Sequence, residues 1–546
     1  MSTEESEGSP ESLQSLTRRS VLKGAAALGT LAPVAALGLH AAAREAAAAP
    51  EHWDAEADVV CVGFGGAGAV AAITAHDAGA EVLVLEKMAQ GGGNTACSLG
   101  GILCPTNVEE AYTHITALFD YSHSELDKGL VRTYCEEAVK NVDWVKGLRA
   151  GTEVFVYGGA GYPQVPGAAS MKKYNVRGPA QGPAGNSQNL WGLLTYAIEI
   201  RKIRVMFATP ARELVTNRDG EVIGVRAEAQ GKPIVIRARR GVILTTGGYE
   251  YDRTTLQNSV KGYPIYALGS PGNTGDGVRM AQKVGASLWH MNGVSCPLGI
   301  KVPDLESAFL FQTAAAGYIL VDKHGRRFAN ERAVEAHAGL LAVDVFDVEE
   351  LEYPRIPCYV IFDEATRLRG PISAMAALGF AGRAHKWSRD NSVEVEKGWI
   401  LKGDTPAELA RKIQMRPEVL ESTLAKWNAD MKQGEDTLFH RPLRAPANDN
   451  PAYRDLQAPL WSALIEKPPY YAIALYPCLL NTQGGPRRNT KAQLLDAFGR
   501  PIPRLYSAGE LGSMWGLVYQ GAGNIGECVV YGRIAGKNAA QEKPLA

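Results

Sequence analysis

The segment ADVVCVGFGGAGAVAAITAHDAGAEVLVLEK, residues 57–87, constrains the fold more than any other part of the chain. An apolar run, Val59 to Val62, reads as a buried strand. It passes into Gly63-x-Gly65-Gly66-x-Gly68, then an alanine-rich helix, then a second strand ending at Glu86. Glycines at this spacing permit a tight turn, close approach of backbone to a pyrophosphate, and close packing of helix on strand. The helix N-terminus then faces the phosphates, and a carboxylate at the end of the second strand is placed to accept ribose hydroxyls. The pattern predicts a parallel α/β nucleotide-binding sheet beginning near residue 57.

At 546 residues the chain has room for two or three domains, and 46% hydrophobic residues supply a large core. Its 57 basic and 58 acidic residues nearly cancel and form no basic stripe, which argues against a nucleic-acid partner. The ten histidines show no ligand spacing, so no metal site is expected. Eight cysteines at irregular spacing contain no Cys-x-x-Cys for haem, zinc or an iron–sulfur cluster, and most are expected to be small buried hydrophobes.

Before residue 50, paired Arg18 and Arg19 precede an Ala/Gly-rich apolar run and small residues suited to cleavage. This has the form of a twin-arginine export signal and predicts a periplasmic mature protein starting near Pro50. The run is short and broken by Gly and Pro, so a permanent membrane anchor is the weaker reading, and no other run is long enough to span a bilayer.

A second glycine-rich loop, GGGNTACSLGG, follows directly after Glu86, and two further motifs, GVILTTGGY at 241–249 and LYSAGE at 505–510, stand far downstream. Together these resemble the FAD-binding pattern of the fumarate reductase and 3-ketosteroid dehydrogenase flavoproteins, and the resemblance extends over nearly all of the mature chain. It implies non-covalent FAD held by Gly63, Gly65, Gly66, Gly68, Glu86 and Lys87 on the first motif. The second loop would contribute Gly92, Gly93, Asn94, Thr95, Gly100 and Gly101, and the later segments Ala211, Gly247, Gly248, Asp276, Gly509, Glu510, Gly523, Asn524 and Ile525.

The expected architecture is α/β: a discontinuous Rossmann-like FAD domain carrying an inserted α+β capping domain. The boundaries drawn are 1–49 for signal and linker, 50–290 and 458–546 for the two parts of the FAD domain, and 291–457 for the cap. The alternating runs from 203 to 238 read as antiparallel strands appended to the parallel sheet. Residues 157–189, rich in Gly and Pro, read as a long loop at the site entrance or a disordered surface loop.

The segment YQGAGNIGECVVYGRIAG, starting at Tyr519, resembles the part of 3-ketosteroid dehydrogenases in which a tyrosine hydroxyl and a glycine N–H four residues on bind the 3-keto oxygen. Those positions are Tyr519 and Gly523 here. The family's GRRF-x-NE strand is present at 325–331, and its acid/base position four residues beyond is Glu335, expected to have a raised pKa. Arg332 and His337 are the alternatives on the same segment. The family's substrate histidine and late arginine are replaced by Asn481 and Gln520, which argues for a neutral carbonyl substrate over a dicarboxylate; Arg487 and Arg488 are expected on a surface turn.

The resemblance therefore implies an FAD enzyme that exchanges a hydride at a carbon–carbon bond beside a ketone or enone, with a quinone or cytochrome as external electron partner. The alternatives are a reductase of fumarate or urocanate type and a non-catalytic flavin electron carrier.

Overall fold

The computed structural model describes residues 52–177, 186–445 and 459–545; the twin-arginine segment and the start of the expected second part of the FAD domain lie outside them. The anticipated nucleotide unit is present. Strand β1 (Ala55–Val62) leads through Gly63–Gly65 into helix α1 (Gly66–Asp77), and strand β2 (Val82–Leu85) returns parallel to β1 with Val59 opposite Val82 and Val62 opposite Leu85. Residues 59–62 and all of β2 are buried, as strands covered on both faces must be.

Gly63 has φ +105°, and a β-carbon there would fall 2.4 Å from the Thr245 carbonyl oxygen. At Gly68 it would fall 2.0 Å from the Gly63 carbonyl oxygen, so helix and turn interlock only without side chains.

The parallel core runs, in spatial order, Pro501–Ser507, Lys232–Leu244, β1, β2 and Arg204–Met206. Ala211–Thr216 and Val222–Ala229 add an antiparallel flap onto Lys232–Leu244, as their alternation predicted, whereas Arg204–Met206 pairs in parallel with β2. Pairing of Ser507 with Leu244 returns the end of the chain to the centre of the sheet and sets Glu510 beside the opening loop.

A second sheet of seven strands is built around Tyr470–Leu479, which pairs antiparallel with Cys358–Asp363. Its central strand thus lies C-terminal to residue 457, beyond the point at which the chain was expected to rejoin the first domain.

The 157–189 region differs from expectation. Lys173–Arg177 is a strand paired antiparallel with both Glu153–Gly158 and Ile102–Leu103, giving a three-stranded sheet that fixes the orientation of Tyr157 and Lys173. Val176 and Asn175 are buried there; residues 178–185 of the Gly/Pro-rich stretch lie outside the described residues. All eight cysteines are free, and seven are buried. No helix among the described residues is long and apolar enough to cross a membrane.

The GRRF-x-NE residues lock the second sheet to the segment that follows it. Arg327 makes bidentate bonds to Glu331 (3.0 and 2.9 Å) and to Asp436 (both 2.9 Å), and buried Arg441 adds bonds to Glu331 and to the Tyr318 carbonyl. All four side chains are buried, so loss of one partner strands the others' charge. Asp436→Ala is therefore expected to cost about 3–5 kcal/mol in urea unfolding. Burial alone would raise the Asp436 carboxyl, but Arg327 overcomes this and holds it at about 2. Its contribution should be complete above the unfolded-state pKa of about 3.9 and lost as pH falls through 2, so the gap between wild type and variant should narrow in that window.

Candidate active site

A cavity of about 560 Å³ runs from the opening glycine loop to Tyr519. Its wall includes Gly63, Gly65, Gly66, Glu86 and Lys87, then Gly93, Asn94, Thr95, Gly101, Ala211, Gly247, Asp276 and Glu510, and Asn524 and Ile525 at the start of helix Gly523–Gln541. These are residues expected to hold FAD. Gly68, Gly92, Gly100, Gly248, Gly509 and Gly523 were expected on the wall and are not on it. Gly68, Gly248 and Gly509 serve protein packing: a β-carbon at Gly248 would strike Thr482 Oγ1 and Glu510, and one at Gly509 would meet Ala67. Phe64, Met88, Ser270 and Asn273 also line the cavity; single polar or apolar residues outside a motif carry no signal that would have found them.

Glu86 is buried, and its two carboxylate oxygens accept the N–H groups of Phe64 and Met88, both at 2.8 Å. Burial, only partly opposed by these bonds, raises its carboxyl. Lys87 pairs with Asp276 at 2.7 Å, tying the helix that begins at Asp276 to the edge of the loop. Asn94 Nδ2 donates to both Glu250 (2.8 Å) and Glu510 (3.0 Å), while its Oδ1 accepts the Ser270 N–H at 2.7 Å. Two buried carboxyls side by side cannot both ionise, and burial with the neighbouring Glu250 pushes Glu510 well above the ordinary range.

The wall suits FAD. Glycines open the loop to a pyrophosphate, and helix N-termini face the cavity at Gly66 and Asn524.

At the far end Tyr519 is buried, its ring edge-on to Trp515 at 5.7 Å and to His337 at 5.1 Å. Its hydroxyl oxygen accepts the Asn524 N–H at 3.1 Å, which leaves the O–H proton free to donate into the cavity. Burial raises this phenol far above its ordinary value, so it stays protonated. The expected second donor is absent: the Gly523 N–H is spent on the Gln520 carbonyl at 2.9 Å.

Glu335 also departs from expectation. Its carboxylate accepts the His337 N–H at 2.6 Å and His337 Nδ1 at 2.9 Å. Burial pulls its pKa upward, but the bonds and charge from His337, with Lys173, outweigh it and the carboxyl lies below its usual value, the opposite of a poised acid. Arg332 is not on the cavity wall; its guanidinium donates to the Ala315 carbonyl and lies over Tyr318 and Trp461. Arg488 is fully buried against Glu527 and the Gly509 carbonyl, and is not on a surface turn; Arg487 pairs with Glu125. Asn481 lines the cavity, whereas Gln520 is buried behind it, bonded to His114 and the Gly161 N–H. Three side chains that the sequence reading did not place at the site, Tyr157, Lys173 and Arg383, line the cavity, the first two beside the turn that follows Tyr519.

The fold and the lined cavity define an FAD-dependent oxidoreductase. The chain belongs to the FAD binding domain family, matched over residues 58–525. It is 29% identical over 527 residues to the urocanate reductase of Eggerthella lenta, covering 90% of this chain and 76% of that protein. It is 27% identical over 588 residues to the 3-oxosteroid 1-dehydrogenase of Mycobacterium tuberculosis strain H37Rv, covering 89% and 99%. The fold matches that of the 3-ketosteroid delta1-dehydrogenase of Sterolibacterium denitrificans with a TM-score of 0.74 at 23% identity, over 89% of this chain and 99% of that one.

Gly68→Ala drives a methyl into the Gly63 carbonyl and should displace the loop, lowering FAD affinity at least about tenfold, or 1.4 kcal/mol, in a flavin fluorescence titration. Gly147→Ala, where a β-carbon meets nothing within 4 Å, should bind FAD as wild type does.

Proposed function

We propose that the protein is an FAD-dependent oxidoreductase acting on the carbon–carbon bond beside a ketone, of the 3-ketosteroid dehydrogenase kind, exported to the periplasm and exchanging electrons with a separate quinone or cytochrome. The observation that carries this reading is the buried Tyr519 hydroxyl, protonated and free to donate on the wall of the flavin cavity.

FAD, when bound, takes or gives the hydride at the carbon beta to the carbonyl. The remaining demand is stabilisation of the charge that develops on the carbonyl oxygen as the alpha carbon loses or gains its proton. Tyr519 meets it by donating its O–H to that oxygen. The Asn524 N–H, at the positive end of a 19-residue helix, donates in turn to the tyrosine oxygen and strengthens the phenol as a donor. Trp515 and His337 hold the ring by its edges, so the hydroxyl needs no reorientation as charge appears. Leu310, Met375, Leu378 and Phe380 supply an apolar wall suited to a hydrocarbon skeleton.

A second reading, reduction of an unsaturated acid, is favoured by one feature. Arg383 lines the cavity over the Phe380 ring, 4.2 Å from its centroid, with no ion-pair partner among the described residues, where a carboxylate could be clamped.

Anaerobic mixing of the oxidised holoenzyme with saturated 3-ketosteroids should bleach the flavin. Re-oxidation of photoreduced enzyme only by fumarate or urocanate would replace the first reading with the second. Tyr519→Phe should keep FAD while losing about 100- to 1,000-fold in kcat/KM with the ketone; a loss under threefold would remove the tyrosine from the mechanism. For the location, Arg18→Lys with Arg19→Lys should leave the protein in the cytosolic fraction; unchanged export would contradict the twin-arginine assignment.

A further inference from the structure

Lys173 is the unexplained group on the cavity wall near Tyr519. It stands on the strand Lys173–Arg177, half-buried, with its side chain on the wall. A methyl group placed at Gly521 would lie 3.2 Å from Lys173 Nζ and 2.8 Å from His337 Cε1, so amine and imidazole converge on the turn between Tyr519 and Asn524. Tyr157 closes the same corner: its Oη would lie 2.0 Å from a β-carbon on Gly101, whose own nearest neighbours include Ala522. No side chain or carbonyl among the described residues hydrogen-bonds or ion-pairs with Lys173 Nζ. Lysines this enclosed are ordinarily paired.

We infer that Lys173 is the proton-transfer residue of this site, giving the alpha proton as an ammonium when a conjugated ketone is reduced and taking it as an amine when a saturated ketone is dehydrogenated. This rests on the function proposed above. In the reductive direction a hydride lands on the beta carbon and the C=C electron pair shifts to leave an enolate, whose oxygen Tyr519 holds. The Lys173 N–H bond then breaks, an N–H proton forms the new bond at the alpha carbon, and the lysine remains as a neutral amine to be reprotonated from water. The oxidative direction reverses each bond change, with FAD receiving the hydride.

The groups facing Lys173 are Tyr157 on the adjoining strand, Tyr519 on the turn, and Glu335 and His337 on the segment across the cavity. Both phenols stay protonated: burial puts Tyr157 at about 12 and Tyr519 higher still. Glu335 is ionised and bonded to His337 twice, so it acts on the lysine as a fixed charge. Burial lowers the Lys173 pKa from the ordinary lysine value and Glu335 resists that fall, bringing the amine closer to working pH than a surface lysine.

The test uses holoenzyme and a ketone or enone that the wild type turns over. Lys173→Arg keeps the positive charge but replaces an ammonium that can deprotonate near working pH with a guanidinium that cannot. It is expected to retain FAD absorbance and ketone binding, seen as a flavin difference spectrum, while losing about 100- to 10,000-fold in turnover and in deuterium uptake at the alpha carbon of the saturated ketone in D₂O. Glu335→Gln should move the lysine limb of the pH profile to lower pH, because the charge opposing deprotonation is gone. That limb falls with rising pH for reduction and rises with it for dehydrogenation. Deuterium uptake within threefold of wild type in Lys173→Arg, or its loss in His337→Gln with Lys173→Arg unaffected, overturns the inference and leaves the ketone reading standing. Wild type that neither reacts with nor exchanges any ketone or enone sinks both.

Discussion

Everything at the functional end of this molecule depends on how closely helix Gly523–Gln541 lies against α1. The approach is possible because both helices present glycine and alanine. A β-carbon at Gly532 would come 2.8 Å from Val70, and one at Gly536 would come 2.4 Å from the Ala71 carbonyl oxygen. α1 is itself seated through Gly68 on the Gly63 turn at the end of β1 and on Thr245, at the end of strand Lys232–Leu244. The last helix is thus referenced to the opening strand with almost no intervening side chain, and the first residues of that helix become part of the cavity that the first glycine motif opens. A chain more than 450 residues long between two motifs can build one site because the contact between them is backbone to backbone.

The same contact changes the meaning of the glycines after Tyr519. In the sequence they suggest a backbone stripped to approach a ligand, with the Gly523 N–H turned toward substrate. In the structure Gly523 makes room for the Trp515 ring and Gly526 for Tyr134 and Leu103, while the Gly523 N–H closes a turn onto Gln520. The stripped surface meets protein. Tyr519 nonetheless stays on the cavity wall, since its position depends on that turn, and its hydroxyl is polarised by the next N–H along, that of Asn524.

The nucleotide half of the fold was legible because its signals are local and redundant: an apolar strand, a glycine turn, a small-residue helix and a terminal acid agree within about thirty residues. The wall formed by Asn94, Thr95 and Glu510 followed from motifs whose partners are backbone groups and buried carboxylates. The catalytic end was less legible, for a physical reason in each case. Glu335 reads as a helix-face acid, but its pKa is set by a histidine two residues on that bends back to it. Arg488 follows a proline and reads as surface, yet the Glu527 that neutralises it lies 39 residues away. Lys173 sits where glycines and prolines mask a short strand, and its importance comes from the absence of a partner, which no local pattern announces.

The electrostatics around Tyr519 and Lys173 bear on what can bind there. Lys173 brings a positive charge and Glu335 a negative one, with two protonated phenols beside them. A site built to seize a carboxylate would leave its cations uncompensated and fork-shaped, as arginine provides. Here the fixed charges of Lys173 and Glu335 roughly cancel before substrate arrives, so a ground-state anion gains little from them, and Arg383 is the cation left to attract one. An oxygen that acquires charge only during reaction gains more, because Tyr519 is already aimed and the lysine proton moves as that charge forms. Such an arrangement binds the neutral ketone weakly and its enolate strongly, which is the difference that accelerates a reaction.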